Sequence, residues 1–192
     1  MSRHFKTKGS PKETFRTGRA AAHATLVNNH VHIFVDDQNL FYGVVNHELG
    51  KSFRVDFGRL LLEVCKDTVG ATRAVGSAYI AGVIPDDDSF WEIAKNRGFT
   101  VRRGYLGSRN RSKQDDAYLI TDLMTTLYEQ PGPSTVVLVA GDADYMPPLM
   151  RITEKGWRTE LAFINRGVSS TLEPYIHEFR TLTAQSFQHF RS

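Results

Sequence analysis

Aspartates follow two apolar runs of the chain at the point where each run ends. Asp142 and Asp144 follow the run 135–139, and Asp36 follows the run 31–35. Short β-branched runs that stop at turn residues are typical of buried strands, and open α/β sheets place ligand sites at the carboxyl ends of such strands. If the two strands are neighbours in a parallel sheet, the carboxylates meet at one edge. Their mutual repulsion then favours a divalent cation held by oxygen ligands.

A third group of aspartates opens an amphipathic segment between these two strands. Asp115 and Asp116 lie at its start, and Asp122 lies further along. Aspartates are favoured in the first turn of any helix by capping and by the helix dipole, so this pair alone indicates only a helix start. Its coincidence with two acidic strand ends makes it a candidate part of the same site. Asp122 faces either solvent or a buried partner, and it shares a helix face with Asp115.

Carboxylates gathered in this way can support hydrolysis of a phosphodiester bond. Mg²⁺ or Mn²⁺ at such a site lowers the pKa of a water and neutralises phosphate charge. Mg²⁺ usually takes one or two direct carboxylates, and we expect Asp36 and Asp142 to be those ligands. Asp116 and Asp144 would then bind through water or hold a second ion. Asn39 can orient Asp36 or donate to a phosphate. No HExxH pair is present, which argues against a zinc hydrolase.

Basic residues around one tyrosine lead into the third acidic group and form a candidate substrate-binding surface. They are Arg102, Arg103, Arg109, Arg111 and Lys113 around Tyr105, with Arg166 as a further candidate after the fifth strand. Phosphate contacts combined with aromatic stacking are the usual means of holding single-stranded RNA. A solvated loop explains any single one of these residues equally well. Their grouping directly before Asp115 and Asp116 favours a role in binding.

The composition is that of an ordinary globular protein with a basic N-terminal arm. The 192 residues, 41% of them hydrophobic, fit one α/β domain plus a short extension. The net charge is +3, and residues 1–29 alone carry +5. We therefore divide the chain into a flexible basic arm, residues 1–29, and one domain, residues 30–192. The arm is suited to contact with a polyanion, and a solubilising tail is an equal alternative.

No stretch is apolar enough to span a bilayer, and no secretory signal is visible, so we expect a cytoplasmic protein that does not contact membranes. The single cysteine, Cys65, excludes an intrachain disulfide and a cysteine-based zinc site.

Strand and helix patterns alternate after residue 30. The predicted strands are 31–36, 74–80, 99–101, 135–140 and 158–164, with a sixth, edge strand at 179–182. This alternation predicts a three-layer α/β/α sandwich around a mainly parallel sheet of five or six strands. Neither a GxGxxG turn nor a Walker loop is present, which argues against nicotinamide and nucleoside-triphosphate enzymes.

Three motifs together resemble the NYN domain, the LabA-like branch of the PIN-like nuclease superfamily. They are Asp36-Asp37-Gln38-Asn39, Lys113-Gln114-Asp115-Asp116 with Asp122, and Ala140-Gly141-Asp142-Ala143-Asp144-Tyr145 followed by Pro148-Leu149. Their order and spacing match over roughly residues 30–183. The resemblance implies a PIN-like, Rossmannoid fold and the chemistry of a metal-dependent (endo)ribonuclease, a hydrolase that uses Mg²⁺ or Mn²⁺ and binds RNA.

The resemblance also implies roles for individual residues: Asp36 as the first-strand acid with Asn39 in support, Asp116 as the acid at the helix start, Asp142 and Asp144 as the pair after the fourth strand, and Asp122 as a second-tier acid. Gln114 and Asp115 stand where the family usually has glycine and an apolar residue, so the choice between Asp115 and Asp116 stays open. His177 stands where the family often has a further aspartate.

We therefore expect a divalent-metal-dependent ribonuclease that acts on single-stranded or structured RNA. The alternative is a non-catalytic RNA- or protein-binding module with a vestigial nuclease site. A phosphatase of the haloacid-dehalogenase type would need an aspartate where Gln38 stands. A homodimer and a regulatory protein partner are both compatible with the sequence, which specifies neither.

Overall fold

The computed structural model describes residues 29–44, 55–83, 89–106, 112–113 and 115–183. Strands and helices alternate along these ranges. The strands are β1 (Val31–Asp36), β2 (Val75–Val83), β3 (Thr100–Leu106), β4 (Ser112–Lys113), β5 (Thr135–Val139), β6 (Arg158–Phe163) and β7 (Glu178–Thr181). The helices are α1 (Asp37–Val44), α2 (Phe57–Val64), α3 (Ser89–Asn96), α4 (Asp115–Glu129) and α5 (Met146–Glu154). Short 3-10 turns, Ala143–Tyr145 and Ser170–Tyr175, follow β5 and β6.

The strands form one sheet in the order β4-β3-β2-β1-β5-β6-β7. Its six longer strands run parallel, and the two-residue β4 pairs antiparallel with β3. The prediction of a mainly parallel α/β sheet is therefore confirmed. The chain fills the sheet outward from β1 to β3, then crosses over and fills it outward from β5 to β7. Strand order thus reverses between β1 and β5, where open α/β sheets bind their ligands.

Helices cover both faces of this sheet. Alternate residues of β1 face opposite ways: Ile33 and Val35 pack with α1, α2 and α3, whereas Phe34 packs with α4 and α5. All six residues of β1 are buried, which explains why its sequence is mostly apolar on both faces rather than alternating. The predicted three-layer sandwich is confirmed.

Local sequence explains where several helices begin and end. The Asp56 side chain accepts a hydrogen bond from the Arg59 N–H and so caps α2. Prolines lie in the first turn of α5, where a missing N–H costs nothing. Gly156 follows that helix with φ of 76°, a conformation that favours glycine.

Within the described ranges, no helix combines the length and the apolar character that a membrane span requires. Residues 1–28 of the predicted basic arm lie outside the described part of the chain, so the boundary at residue 29 stays a prediction.

Candidate active site

The first two acidic groups lie side by side at the point where strand order reverses. β1 and β5 are hydrogen-bonded neighbours, with Val35 opposite Val139. Asp36 is the last residue of β1, and Asp142 follows the end of β5 after two residues. The parallel pairing on which the sequence argument depended is therefore present, and both segments leave the sheet at its carboxyl edge.

Asp36 is buried and held through both of its oxygens. Only 3% of the residue surface is exposed. Oδ1 accepts a hydrogen bond of 2.9 Å from the backbone N–H of Asn39, and Oδ2 accepts one of 3.0 Å from the Tyr145 hydroxyl. The first bond caps α1, whose N-terminal partial charge also favours a carboxylate there. The backbone of Asn39, rather than its side chain, therefore orients Asp36.

The Asn39 side chain joins the two acidic segments to each other. Its Oδ1 accepts a hydrogen bond of 2.7 Å from the Gly141 N–H. The Gly141 carbonyl in turn accepts a bond of 2.8 Å from the Ser169 N–H, in the segment after β6. A Cβ at position 141 would lie 2.7 Å from the carbonyl oxygen of Gly167, so only glycine fits. The chain segments that follow β1, β5 and β6 thus meet at Gly141.

Asp142 and Asp144 are exposed beside this junction. The Asp142 side chain accepts a hydrogen bond of 3.1 Å from the Asp144 N–H and so caps the 3-10 turn Ala143–Tyr145. Capping accounts for an aspartate at position 142 without any ligand. It also fixes the backbone of the turn from which Tyr145 reaches Asp36.

The third acidic group begins α4. Asp116 is half-buried, and helical spacing places it on the same stripe as Leu123 and Leu127, which are buried in the core of the α4 and α5 layer. Because α4 leads back into the parallel strand β5, it starts at the carboxyl edge of the sheet. The Asp115 side chain lies outside the described part of the chain, so the choice between the two acids stays open.

Asp122 does not join the other acids, because it is paired with Arg102 on β3. Nε and Nη2 of Arg102 donate to its two carboxylate oxygens, each at 2.7 Å. Asp122 is 7% exposed, and the Arg102 guanidinium lies 6.0 Å from the centre of the Tyr79 ring. This pair joins α4 to the sheet. Asp122, the predicted second-tier acid, and Arg102, a predicted substrate-binding residue, thus form an ion pair with each other.

The remaining predicted substrate-binding residues are spread over two places. Arg103 is exposed on β3, and Arg166 is exposed in the segment after β6 that contacts Gly141. Tyr105 and Lys113 belong to β3 and β4, and their side chains lie outside the described part of the chain. Arg109 and Arg111 also lie outside it.

Asp37 is a residue of this site that the sequence argument did not single out. Burial raises its pKa to about 7. Gly82 at the end of β2 leaves room for it, since a Cβ there would lie 3.1 Å from the Asp37 Cβ. Around neutral pH this carboxyl is therefore often protonated, which lowers the repulsion on its neighbour Asp36. Its place directly after the first acid was the available clue.

The donors at this edge are all oxygen atoms, which suits a hard divalent cation better than zinc. In the described part of the chain, no three carboxylate, imidazole or thiolate side chains are close enough together to enclose a metal ion. Asp36, Asp116, Asp142 and Asp144 thus do not form a preformed cage. Mg²⁺ usually keeps several waters and takes one or two protein carboxylates, so Asp36 with an exposed aspartate fits such an ion.

Comparison with known proteins supports the fold and identifies the family. A protein of unknown function from Vibrio parahaemolyticus has a similar crystal structure, with a TM-score of 0.67 and 21% sequence identity. The similarity covers 84% of this chain and 97% of that one, and at this identity it shows the fold alone. No curated protein matches the chain. The family model described as the NYN domain matches residues 30–183. The chain therefore belongs to the NYN domain family, whose members are generally nucleases.

Proposed function

We propose that this protein is a divalent-metal-dependent ribonuclease that hydrolyses RNA phosphodiester bonds at the carboxyl edge of β1 and β5. One observation carries the proposal: the Asn39 side chain joins the Asp36 end of β1 to the Gly141–Asp142 segment after β5. That hydrogen bond keeps two acidic segments, about a hundred residues apart in sequence, at one place. Membership of the NYN family supports nuclease activity.

The acids of the site have different roles in this proposal. Asp36, buried and fixed by two hydrogen bonds, provides a direct ligand whose orientation is set before binding. Asp142 provides the second direct ligand. Asp144 and Asp116 bind the ion through water or bind a second ion. Mg²⁺ or Mn²⁺, when bound, would lower the pKa of the attacking water and neutralise charge on the phosphate. Because burial raises the pKa of Asp37 to about 7, this side chain carries less than a full negative charge beside Asp36 near neutral pH.

RNA would lie across the carboxyl edge of the sheet, where its phosphates meet exposed cations. Arg166 is the described cation best placed for this, since its segment is hydrogen-bonded to Gly141 through Ser169. Arg103 is exposed on the β3 side of the same edge. Arg109, Arg111 and Lys113 belong to the proposal on their sequence positions. Arg102 is committed to Asp122 through two of its nitrogens and has less capacity for a phosphate.

The test is cleavage of a fluorescent single-stranded RNA by the full chain with Mn²⁺, with Mg²⁺ and with EDTA. We expect metal-dependent product that EDTA abolishes. The Asp142→Asn variant should lose at least about a hundredfold in rate, on the scale of removing an electrostatic contact to the transition state. It should keep its fold because Asp142 is exposed. Glu129→Gln, an exposed change at the far end of α4, is the matched control. Cleavage by Asp142→Asn at the wild-type rate would contradict the assignment.

The alternative, a non-catalytic RNA- or protein-binding module, is favoured by one observation. The described carboxylates do not form a preformed group of three. A module of this kind would bind RNA equally well with and without EDTA and would yield no product over long incubation. The same cleavage assay, run beside an RNA-binding titration, therefore separates the two functions.

A further inference from the structure

The Tyr145 hydroxyl makes a long-range side-chain contact with Asp36. The tyrosine ring is completely buried in the core between the sheet, α4 and α5. Its hydroxyl donates to Asp36 Oδ2 at 3.0 Å. Phenylalanine would fill the same core, so the packing of the ring does not explain the hydroxyl. What the hydroxyl adds is a hydrogen bond to the first acid of the proposed site.

We propose that Tyr145 is a positioning residue, which holds the Asp36 carboxylate in the orientation that binds the divalent cation. This inference deepens the proposed function and rests on it. The hydroxyl fixes Oδ2 while the Asn39 backbone N–H fixes Oδ1, so rotation of the carboxylate is opposed at both oxygens.

Because of its position in the chain, Tyr145 also helps to position Asp142 and Asp144. It ends the 3-10 turn Ala143–Tyr145, which Asp142 caps and in which Asp144 lies. The hydrogen bond to Asp36 therefore ties the turn that carries the exposed acids to the buried acid on β1. Partners that orient ligating groups commonly contribute a factor of about 10 to 100 in metal affinity. A hydrogen bond to an ionised carboxylate is also stronger than one between neutral groups.

A purely structural role makes a different prediction. If the hydroxyl only satisfies a buried donor, its removal lowers stability and leaves metal binding unchanged. If the hydroxyl positions Asp36, its removal weakens metal binding in protein that is still folded. The two roles therefore separate when affinity and stability are measured on the same sample.

The experiment is calorimetric titration of the full chain with Mn²⁺ alone, in the absence of RNA. We expect Tyr145→Phe to bind Mn²⁺ roughly tenfold more weakly than the wild type. The matched control is Tyr175→Phe, which changes a half-buried tyrosine beside the same core and should leave the affinity unchanged. In cleavage assays, Tyr145→Phe should need more Mn²⁺ to reach its maximal rate, while the KM for RNA stays the same.

Thermal melting without metal verifies that each variant is folded. Tyr145→Met offers a second variant, because methionine adapts to irregular core space and also lacks the hydroxyl, and it should weaken Mn²⁺ binding by a similar factor. Wild-type Mn²⁺ affinity in folded Tyr145→Phe would overturn the inference and leave the proposed function standing. If the wild type itself neither bound Mn²⁺ nor cleaved RNA, the proposed function would fall, and this inference with it.

Discussion

Arg102 and Asp122 hold each other by two parallel hydrogen bonds of 2.7 Å between β3 and α4. Such a bidentate pair is the strongest geometry available to arginine and a carboxylate. The Arg102 side chain remains 41% exposed, whereas that of Asp122 is only 10% exposed. The hydrogen bond to Asp122 raises the pKa of Arg102 further above its usual range. This ion pair therefore stabilises the contact between α4 and β3. It also means that Asp122 does not belong to the group of acids around Asp36.

We predict that Asp122→Ala lowers the free energy of unfolding by about 2 kcal/mol, less than for a fully buried pair because Arg102 keeps access to water. Urea denaturation measures the change, with the exposed Thr125→Ala on the same helix as the control. The folded variant should cleave RNA at close to the wild-type rate. A variant with wild-type stability and no cleavage would show instead that Asp122 is a catalytic acid.

The sheet could be predicted from sequence where strands are buried on both faces. β1 and β5 are short runs rich in β-branched residues, and their predicted bounds were correct to within one residue. β3 was predicted to end at Val101 but continues to Leu106. Its next residues, Arg102 and Arg103, resemble a basic loop in sequence. Only the structure shows that Asp122 compensates the charge of Arg102 and that β2 and β4 pair with this part of the strand.

For the candidate site, the sequence indicates only the acids, and their role stays a prediction. Aspartates at strand ends are visible in sequence, whereas the pairing of β1 with β5 is seen only in the structure. The contacts that orient them are not visible, because Tyr145 and Asp36 are 109 positions apart and either residue alone has an ordinary explanation. The way in which Asn39 contacts Asp36 could not be predicted for a related reason. Sequence shows the side chain, whereas the bond to Asp36 comes from the backbone N–H.

The ion pair between Arg73 and Glu160 should contribute strongly to stability. Both side chains are 4% exposed, and two nitrogens of Arg73 donate to the two Glu160 oxygens at 2.8 and 2.7 Å. Burial alone would raise the pKa of Glu160, but Arg73 and Arg158 together lower it. Removal of one partner leaves a buried charge unpaired, so Glu160→Ala should cost about 3–5 kcal/mol in free energy of unfolding.

The chain provides a matched control for this ion pair. Glu154 pairs with Arg151 at 2.9 Å, but both side chains are about half exposed. Glu154→Ala should therefore leave the free energy of unfolding almost unchanged. Equal losses for Glu154→Ala and Glu160→Ala in urea denaturation would show that burial does not decide the strength of these pairs.

His32 should make stability depend on pH below neutrality. It is buried in β1, with Nδ1 2.9 Å from the Ser77 hydroxyl, and burial together with nearby His30 lowers its pKa to about 4. The unfolded chain binds a proton at His32 as pH falls through about 6.5, whereas the folded chain does so only near 4. Stability due to this residue is therefore complete above about pH 6.5 and is lost progressively down to about pH 4.

The expected loss across that window is on the order of 3 kcal/mol for this residue. Urea denaturation at a series of pH values measures it, and His32→Gln should remove that part of the pH dependence. His177, whose pKa burial also lowers, remains in both proteins and contributes equally to each. If wild type and His32→Gln lost stability in parallel between pH 6.5 and 4, the buried neutral histidine would not be the cause.

Arg166 should contribute one phosphate contact to RNA binding. It is exposed in the segment that reaches Gly141, beside the proposed site. Each phosphate contact to single-stranded nucleic acid contributes about 0.7 to the slope of log affinity against log salt concentration. We therefore expect Arg166→Ala, measured by fluorescence anisotropy without divalent metal, to weaken RNA binding and to flatten that slope by about this amount. Arg97→Ala, an exposed change between α3 and β3, should leave the slope unchanged. Identical slopes for Arg166→Ala and the wild type would place the RNA on another part of the surface.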